Sequence, residues 1–313
     1  MGEDQLIARM RELLPVGERT LVWSGDDCAE VASPTGSFLI STDVLVENVH
    51  FRLDWSSPFE IGARAAAQNL ADIMAQGGRA TAVVVSLVIP PHLDPEWLCD
   101  LVEGFSSCVK ATSAGVVGGD ISKGNQLVMS VTVCGEAVTG KLPGSVVRSG
   151  AQPGDVIAVA GTLGHSYAGF LLCSAKETAS RWERFISIYK VPQPPLELGP
   201  LAAGAGANAL MDISDGLSTD LRRLAKASQV RLTLSEDALN PFISQLREVA
   251  AKVGKPPLEL VLTGGEDHAL LGCFPKQTEL PTGFIPIGTV SADSVGVWLD
   301  DKEILPTGWD HLL

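Results

Sequence analysis

Apolar and polar positions divide the chain into short segments. Leu6, Ile7, Met10, Leu13 and Leu14 share one helical face of Asp4 to Leu14, which Pro15 ends. Ala29 to Ala32 and Ser37 to Ile40 read as paired strands around Pro34-Thr-Gly36, the second running into Ser41-Thr-Asp43. Pro58 to Gln76 predicts a long Ala-rich helix whose small residues permit close packing, capped by Gly77-Gly78. Thr81 to Ile89 is a fully apolar strand stopped by Pro90-Pro91. Asp94 to Ala114 predicts a helix with Trp97, Leu98, Leu101, Val102, Phe105 and Val109 facing inward. Val116-Val117 is a short strand entering Gly118-Gly-Asp120, and Gln126 to Val138 is a long one. The order β-β-α-β-α-β-β suits an α/β (α+β) chain with a mixed sheet, not a doubly wound nucleotide fold.

Gly140 to Gly154, rich in Gly, Pro and Ser, marks a boundary, giving domains at 1–140 and 150–313. Beyond it the pattern predicts helices at Ser166–Ala175, Arg181–Tyr189, Gly199–Ala207, Ser218–Ser228 and Pro241–Val253. Strands fall near 209–213, 230–234, 258–262, 268–274, 284–290 and 295–299. A length of 313 residues agrees with two domains.

One stretch organises the chain. Ala209 to Met211 reads as a short buried strand delivering Asp212 and Asp215, and Gly216 turns the backbone into a helix begun by Leu217, Leu221 and Leu224. Two carboxylates at such a turn suit a hard cation, and the helix N-terminus beside them supplies N–H groups for a phosphate. For a single such Asp, helix capping is the plainer reading. Repetition changes that: similar acids stand at Gly25-Asp-Asp27, Ser41-Thr-Asp43, Asn69-Leu-Ala-Asp72, Gly118-Gly-Asp120 and Thr263-Gly-Gly-Glu-Asp267. Asp72 sits near a helix C-terminus, where a carboxylate opposes the helix dipole, so it serves something other than helix stability.

Hydrophobic residues make up 45% of the chain, ample for a core, and the formal net charge is −14. Such a charge disfavours nucleic acid and anionic membranes as partners. Phosphates would have to be met through cations. The cysteines (Cys28, Cys99, Cys108, Cys134, Cys173, Cys273) form no C-x-x-C pair and read as reduced core residues. Met1-Gly-Glu-Asp-Gln lacks the features of a signal peptide, and the most apolar run, Ala80 to Ile89, is shorter than the roughly 20 residues of a membrane span. A cytoplasmic location is expected.

No P-loop, G-x-G-x-x-G, kinase catalytic loop or G-x-S-x-G elbow is present. The acidic turns also have few basic neighbours in sequence, with Arg52 and Lys123 the nearest. Converging carboxylates would repel one another, and divalent metals bridging phosphates relieve that repulsion.

These motifs together resemble the thiamine-monophosphate kinase family, of the superfamily that includes aminoimidazole ribonucleotide synthetase and selenophosphate synthetase. The likeness runs nearly end to end, through Gly25-Asp-Asp-Cys-Ala29, Ser41 to Phe51, Asn69 to Asp72, Gly118-Gly-Asp120, Arg148-Ser-Gly150, Asp212 to Gly216 and Thr263 to Asp267. It implies several Mg²⁺ ions held at Asp27, Ser41, Thr42, Asp43, Asp72, Asp120, Asp212 and Asp215, with ATP as co-substrate, and leaves K⁺ open. It also implies ATP contacts at Gly119, Asp120, Arg148 and Ser214, and thiamine monophosphate contacts at His50, Glu266 and Trp309. The implied fold has an N-terminal domain whose sheet is shared across a homodimer, and a C-terminal α/β domain. The long apolar strands Thr81 to Ile89 and Gln126 to Val138 are the ones such pairing would cover. Where related sequences often carry an aromatic or bulky residue, this one has Ala111-Thr-Ser-Ala114.

The implied reaction, the last step of thiamine diphosphate biosynthesis, needs no general base. A phosphate monoester has a second pKa of about 6 and is mostly dianionic at neutral pH. The work that remains is alignment and charge neutralisation for in-line attack. Two other classes stay open from the residues alone: a metal-dependent phosphohydrolase and a non-catalytic divalent-ion binder. Within the superfamily, no reactive Cys precedes Gly25 as a selenophosphate synthetase requires, and Val44 to His50 favours the thiamine enzyme over the aminoimidazole one.

Overall fold

The structure, a computed structural model, describes residues 20–22, 26–33, 36–138 and 144–308. The expected helix at Asp4 to Leu14 lies outside the described residues, as does Trp309. The first part runs β1 (Thr20–Val22), β2 (Ala29–Ser33), β3 (Gly36–Val46), α1 (Pro58–Ala75), β4 (Gly78–Ile89), α2 (Pro95–Lys110), β5 (Gly115–Lys123) and β6 (Val128–Ala137). Its strands make a six-stranded sheet in the order β1-β2-β3-β6-β4-β5. Neighbours are antiparallel except for β4 and β5.

The second part continues with β7 (Val156–Ala160), α3 (His165–Ser174), α4 (Glu183–Lys190), α5 (Leu198–Gly204), β8 (Ala209–Ile213) and α6 (Leu217–Ser228). It ends with β9 (Arg231–Leu234), α7 (Glu236–Val253), α8 (Pro257–Thr263), β10 (Ala269–Phe274), β11 (Phe284–Ser291), β12 (Gly296–Leu299) and β13 (Lys302–Glu303). A seven-stranded sheet results, in the order β13-β12-β9-β11-β7-β10-β8, with β8 at one edge.

Helix α1 joins the two halves. Its start is set by Ser57, whose hydroxyl accepts from Glu60 N while Ser57 N donates to Glu60 Oε2, with Pro58 in the first turn. Ile61, Ala65, Leu70 and Ile73 enter the core of the first sheet. Ala71 and Met74 pack with Ala158, Ala160, Leu210, Leu270 and Phe274 of the second. The small residues act as expected: a Cβ on Gly62 would overlap the Leu101 carbonyl, and one on Gly104 the Phe59 carbonyl, so α1 and α2 meet backbone to backbone. A stripe of polar residues at helical spacing, Arg64, Gln68 and Asp72, with Asn69 beside it, interrupts this apolar packing.

Several expectations are corrected. Residues 258–262 form helix α8, not a strand: Pro257 presets its first turn, and so short a run, Leu-Glu-Leu-Val-Leu, is too brief for its period to separate the two. Helix α7 starts earlier than Pro241, because Ser235 caps it through Ala238 N and Pro241 is accommodated inside. Helix α2 stops at Lys110, where Thr112 Oγ1 bonds the Val109 carbonyl and Ala114 N. Its buried stripe is Leu101, Phe105 and Val109, and Val102 is 54% exposed. Gly118-Gly-Asp120 lies inside strand β5, not at a turn. All six cysteines are free, but only Cys28 and Cys273 are buried and Cys99 is exposed.

Strands β4 and β6 are not the uncovered ones, since each has a neighbour on both sides. Of the two edge strands, β1 and β5, it is β5 that is exposed along its whole length, with Val116, Val117 and Ile121 uncovered on it.

Candidate active site

Strand β8 carries Asp212, 3% exposed, to the edge of the second sheet, and the chain then turns at Ser214-Asp215-Gly216 into α6. Gly216 has φ +111°, and a Cβ there would press on the Thr263 backbone, so this turn needs glycine. The turn is clamped from inside α6. Asp220 Oδ2 accepts from Asp215 N at 3.0 Å and Gly216 N at 3.1 Å, and Arg223 pairs with both Asp215 and Asp220, the latter at 2.9 Å.

The first sheet faces this turn through β3 and α1. Alternation along β3 puts Ser41 and Asp43 on one face. Ser41 Oγ donates to Asp72 Oδ2 at 2.6 Å, Gln68 Nε2 donates to Asp43 Oδ2 at 3.1 Å, and Asn69 Oδ1 accepts from Asp43 N at 3.1 Å. Thr42 takes the other face, where its hydroxyl donates to the Val131 carbonyl at 2.8 Å. Asp27 comes in ahead of β2, held by Arg148 NH2 at 2.8 Å.

Asp212 is the charge these acids share. Burial is the main force raising the pKa of Asp27, Asp43, Asp72 and Asp215, and Asp212 pushes each of them further up. Asp220 is pushed up to about 7 by burial, then by Asp215 and Asp212. Cations partly offset the strain: Arg148 acts on Asp27, Arg223 on Asp215 and His268 on Asp43. Burial lowers the His268 pKa, but its 2.9 Å bond from Nδ1 to Asp212 Oδ2 outweighs that and raises it.

The expectation of base-poor acids is therefore corrected. Arg52 pairs with Asp54 and Lys123 lies on the exposed β5, whereas Arg148, Arg223 and His268 arrive from distant sequence. Neither Asp120 nor Gly119 joins the cluster: both lie on β5, Asp120 exposed and Gly119 against the Val85 carbonyl.

Among the described residues no three His, Cys, Asp or Glu side chains form a ready cage for a metal. The donor set nevertheless fits Mg²⁺. It is all oxygen, Asp27 Oδ2 is buried with no partner, and Mg²⁺ needs only one or two carboxylates when substrate phosphates and water complete its shell.

Beside the acids lies a cavity of about 470 Å³. His50 and Asn48 enter it from the turn after β3, Arg64 from α1, Ser166, Tyr167 and Phe170 from α3, and Ser214 and Glu266 from the second sheet's loops. Thus the structure brings His50, Ser214 and Glu266 together, and Gly308, which precedes Trp309, lines the same space. His50 Nδ1 accepts from Val46 N at 2.9 Å, which fixes its ring. Glu266 and His268 both adopt left-handed backbone, φ +66° and +51°, a cost tolerated where a site needs side chains aimed. Phe170 and Tyr189 meet edge to face at 5.8 Å, and Trp55 packs on both.

Arg64, absent from the sequence reading, is central here. Its guanidinium, 3% exposed, pairs with Glu266 and donates to the Tyr189 carbonyl, tying α1 to the second half. An arginine inside the run Gly62-Ala-Arg-Ala-Ala-Ala67 was the available signal. His268 directly follows the Gly-Gly-Glu-Asp motif, and Asp220 and Arg223 sit on α6, just beyond the Asp215 turn. Nothing local distinguishes those three.

The chain matches the family models for the AIR synthase related protein N-terminal domain over residues 25–137 and C-terminal domain over 152–282. It is 42% identical to thiamine-monophosphate kinase of Mycobacterium tuberculosis over 97% of this chain and 89% of that one. To the thiamine-monophosphate kinase of Aquifex aeolicus it is 36% identical, over 92% of each. A solved structure of AaThiL complexed with AMPPCP and TMP superposes with a TM-score of 0.90, at 34% identity over 99% of this chain and 97% of that chain.

Proposed function

The chain belongs to the thiamine-monophosphate kinase family of AIR synthase related proteins, and from that membership we infer that it transfers the γ-phosphoryl group of ATP to thiamine monophosphate, yielding thiamine diphosphate and ADP. The observation that carries this reading is the shared cavity: His50 from the first sheet and Glu266 from the second line one space that ends at Ser214, between Asp212 and Asp215. A substrate filling it has one end against aromatic walls and the other at the acids.

In this reading Asp27, Asp43, Asp72, Asp212 and Asp215 would hold Mg²⁺ by their carboxylates, with the Ser41 hydroxyl beside Asp72. Bound there, the ions supply neutralisation of phosphate charge. Arg148 and Ser214 meet ATP. Arg64 orients Glu266, which with His50 and Trp309 receives the thiamine moiety. No side chain removes a proton, because the acceptor phosphate is already mostly dianionic. The attacking phosphate oxygen forms a bond to the γ-phosphorus as the bond to ADP breaks.

Purified protein with ATP and Mg²⁺ is expected to convert thiamine monophosphate to thiamine diphosphate, and to lose that activity in excess chelator. Phosphate release from ATP without thiamine monophosphate would instead favour a phosphohydrolase. Absence of any turnover would leave an ion-binding protein.

The open β5 edge supports a homodimer, in which a second copy covers Val116, Val117 and Ile121. Sedimentation at micromolar concentration should give twice the 32.9 kDa chain mass, and Val117→Asp should shift it to one. A parent that sediments as a folded monomer counts against the shared sheet. No helix of the described residues is long and apolar enough to cross a membrane. A cytoplasmic site of action, without nucleic-acid partners, is part of the proposal.

A further inference from the structure

Ser166 is the second residue of α3 and only 1% exposed, yet its Oγ has no hydrogen-bond partner among the described residues. Ser174, in the last turn of this helix, returns its hydroxyl to Phe170 O at 2.8 Å, whereas Ser166 stands in the first turn, where no preceding helical turn offers a carbonyl. Ser166 lines the cavity beside Tyr167 and Phe170. A buried hydroxyl without a partner is costly and implies that something else completes it.

The surroundings decide what that partner is. The N-terminus of α3 would ordinarily attract an anion, but Asp267 already occupies it. Its Oδ1 accepts from His165 N at 3.2 Å and Thr162 Oγ1 at 2.7 Å, and its Oδ2 accepts from Ser166 N at 3.2 Å. A phosphate at this end would face a carboxylate. Tyr167 and Phe170 stack at 6.4 Å with planes 15° apart, which gives this end aromatic walls. A flat, uncharged heteroaromatic ring with hydrogen-bonding edge atoms fits both conditions.

We propose that Ser166 is a substrate-recognition residue whose hydroxyl hydrogen-bonds the aminopyrimidine ring of thiamine monophosphate. The inference rests on the thiamine monophosphate reading of the cavity and orients the substrate within it. The aminopyrimidine lies against α3, and the phosphate points to Ser214 and the acids. Because the hydroxyl makes no bond in the ligand-free protein, losing it removes a cost to folding and a contact to substrate together.

The test is calorimetric binding without ATP, comparing parent and Ser166→Ala with two ligands: thiamine monophosphate, and its thiazole phosphate half, which lacks the aminopyrimidine. The variant should bind thiamine monophosphate about 5–10-fold more weakly, the loss of one hydrogen bond. It should bind the thiazole phosphate as the parent does and melt no lower than the parent. Unchanged affinity for thiamine monophosphate overturns the proposal. So does equal weakening towards both ligands, which would put Ser166 at the phosphate end. A drop in melting temperature would make the hydroxyl structural and also overturn it. If the parent binds thiamine monophosphate but does not phosphorylate it, the kinase reading fails while the Ser166 comparison still stands or falls on its own.

Discussion

Asp43→Asn is expected to lower kcat for thiamine monophosphate by about 10²–10³, equivalent to about 3–4 kcal/mol of barrier, with little change in the KM for that substrate. The expectation rests on what the substitution keeps and removes. Asparagine retains an oxygen to accept the Gln68 bond, and the backbone bond from Asp43 N to Asn69 is untouched. Only the charge is lost. In the folded protein that charge is unwelcome: burial raises the Asp43 pKa, and Asp212 and Glu266 raise it further against the opposing Gln68 and His268. Removing it should leave the melting temperature at or above the parent's. Steady-state kinetics beside a thermal melt therefore separate catalysis from folding. Near-parental kcat in a folded variant would remove Asp43 from the phosphoryl-transfer machinery.

Arg148→Met should show the opposite balance, destabilising the nucleotide-free protein by about 3–5 kcal/mol. Arg148 is 15% exposed and Asp27 only 6%. NH2 bonds Asp27 Oδ1 at 2.8 Å, the backbone N donates to Asp26 Oδ2 at 3.0 Å, and Nε lies 3.4 Å from Asp26 Oδ1, an ion-pair separation. Asp27 is already raised well above the ordinary carboxylate range by burial, and Arg148 is the largest influence lowering it. Methionine fills similar volume but strands that carboxylate without a cation. A fall in apparent Tm of roughly 10 °C follows for a chain of this size. Adding Asp27→Asn to the Arg148→Met chain should recover much of it, since the stranded charge is then gone. If Arg148 serves only ATP, the nucleotide-free melt will not move and only the KM for ATP will rise.

The two predictions rest on parts of the site that were unequally legible. Asp212 was readable because it stands at the end of an apolar run, where turn chemistry is local; Asp43, expected at a strand end, lies inside β3, which runs on through Val46. Recurrence of such acids, carried by the motifs of a known family, identified the chemistry before any contact was known. Arg148 was legible as a residue, but its ion pair with Asp27 spans 121 positions and no period connects them. The same separation hid Arg64 and Glu266, which are 202 residues apart.

By itself the sequence determined the elements with a strong period: the helix begun at Pro58, the strands expected at 209–213 and 284–290, and the glycine turn at 216. It also supplied the recurring acids from which phosphate handling through cations was expected. Only the tertiary structure decided which face of β3 reaches α1, and so why Ser41 and Asp43 enter the site while Thr42 turns to β6. It alone decided that 258–262 is helical, that β5 is an exposed edge, and that the acids have arginine and histidine partners. The reason is physical. Period and turn residues act over a few positions, whereas the pairing of buried charges and the covering of a sheet edge depend on chain segments that meet only when the two sheets close on α1.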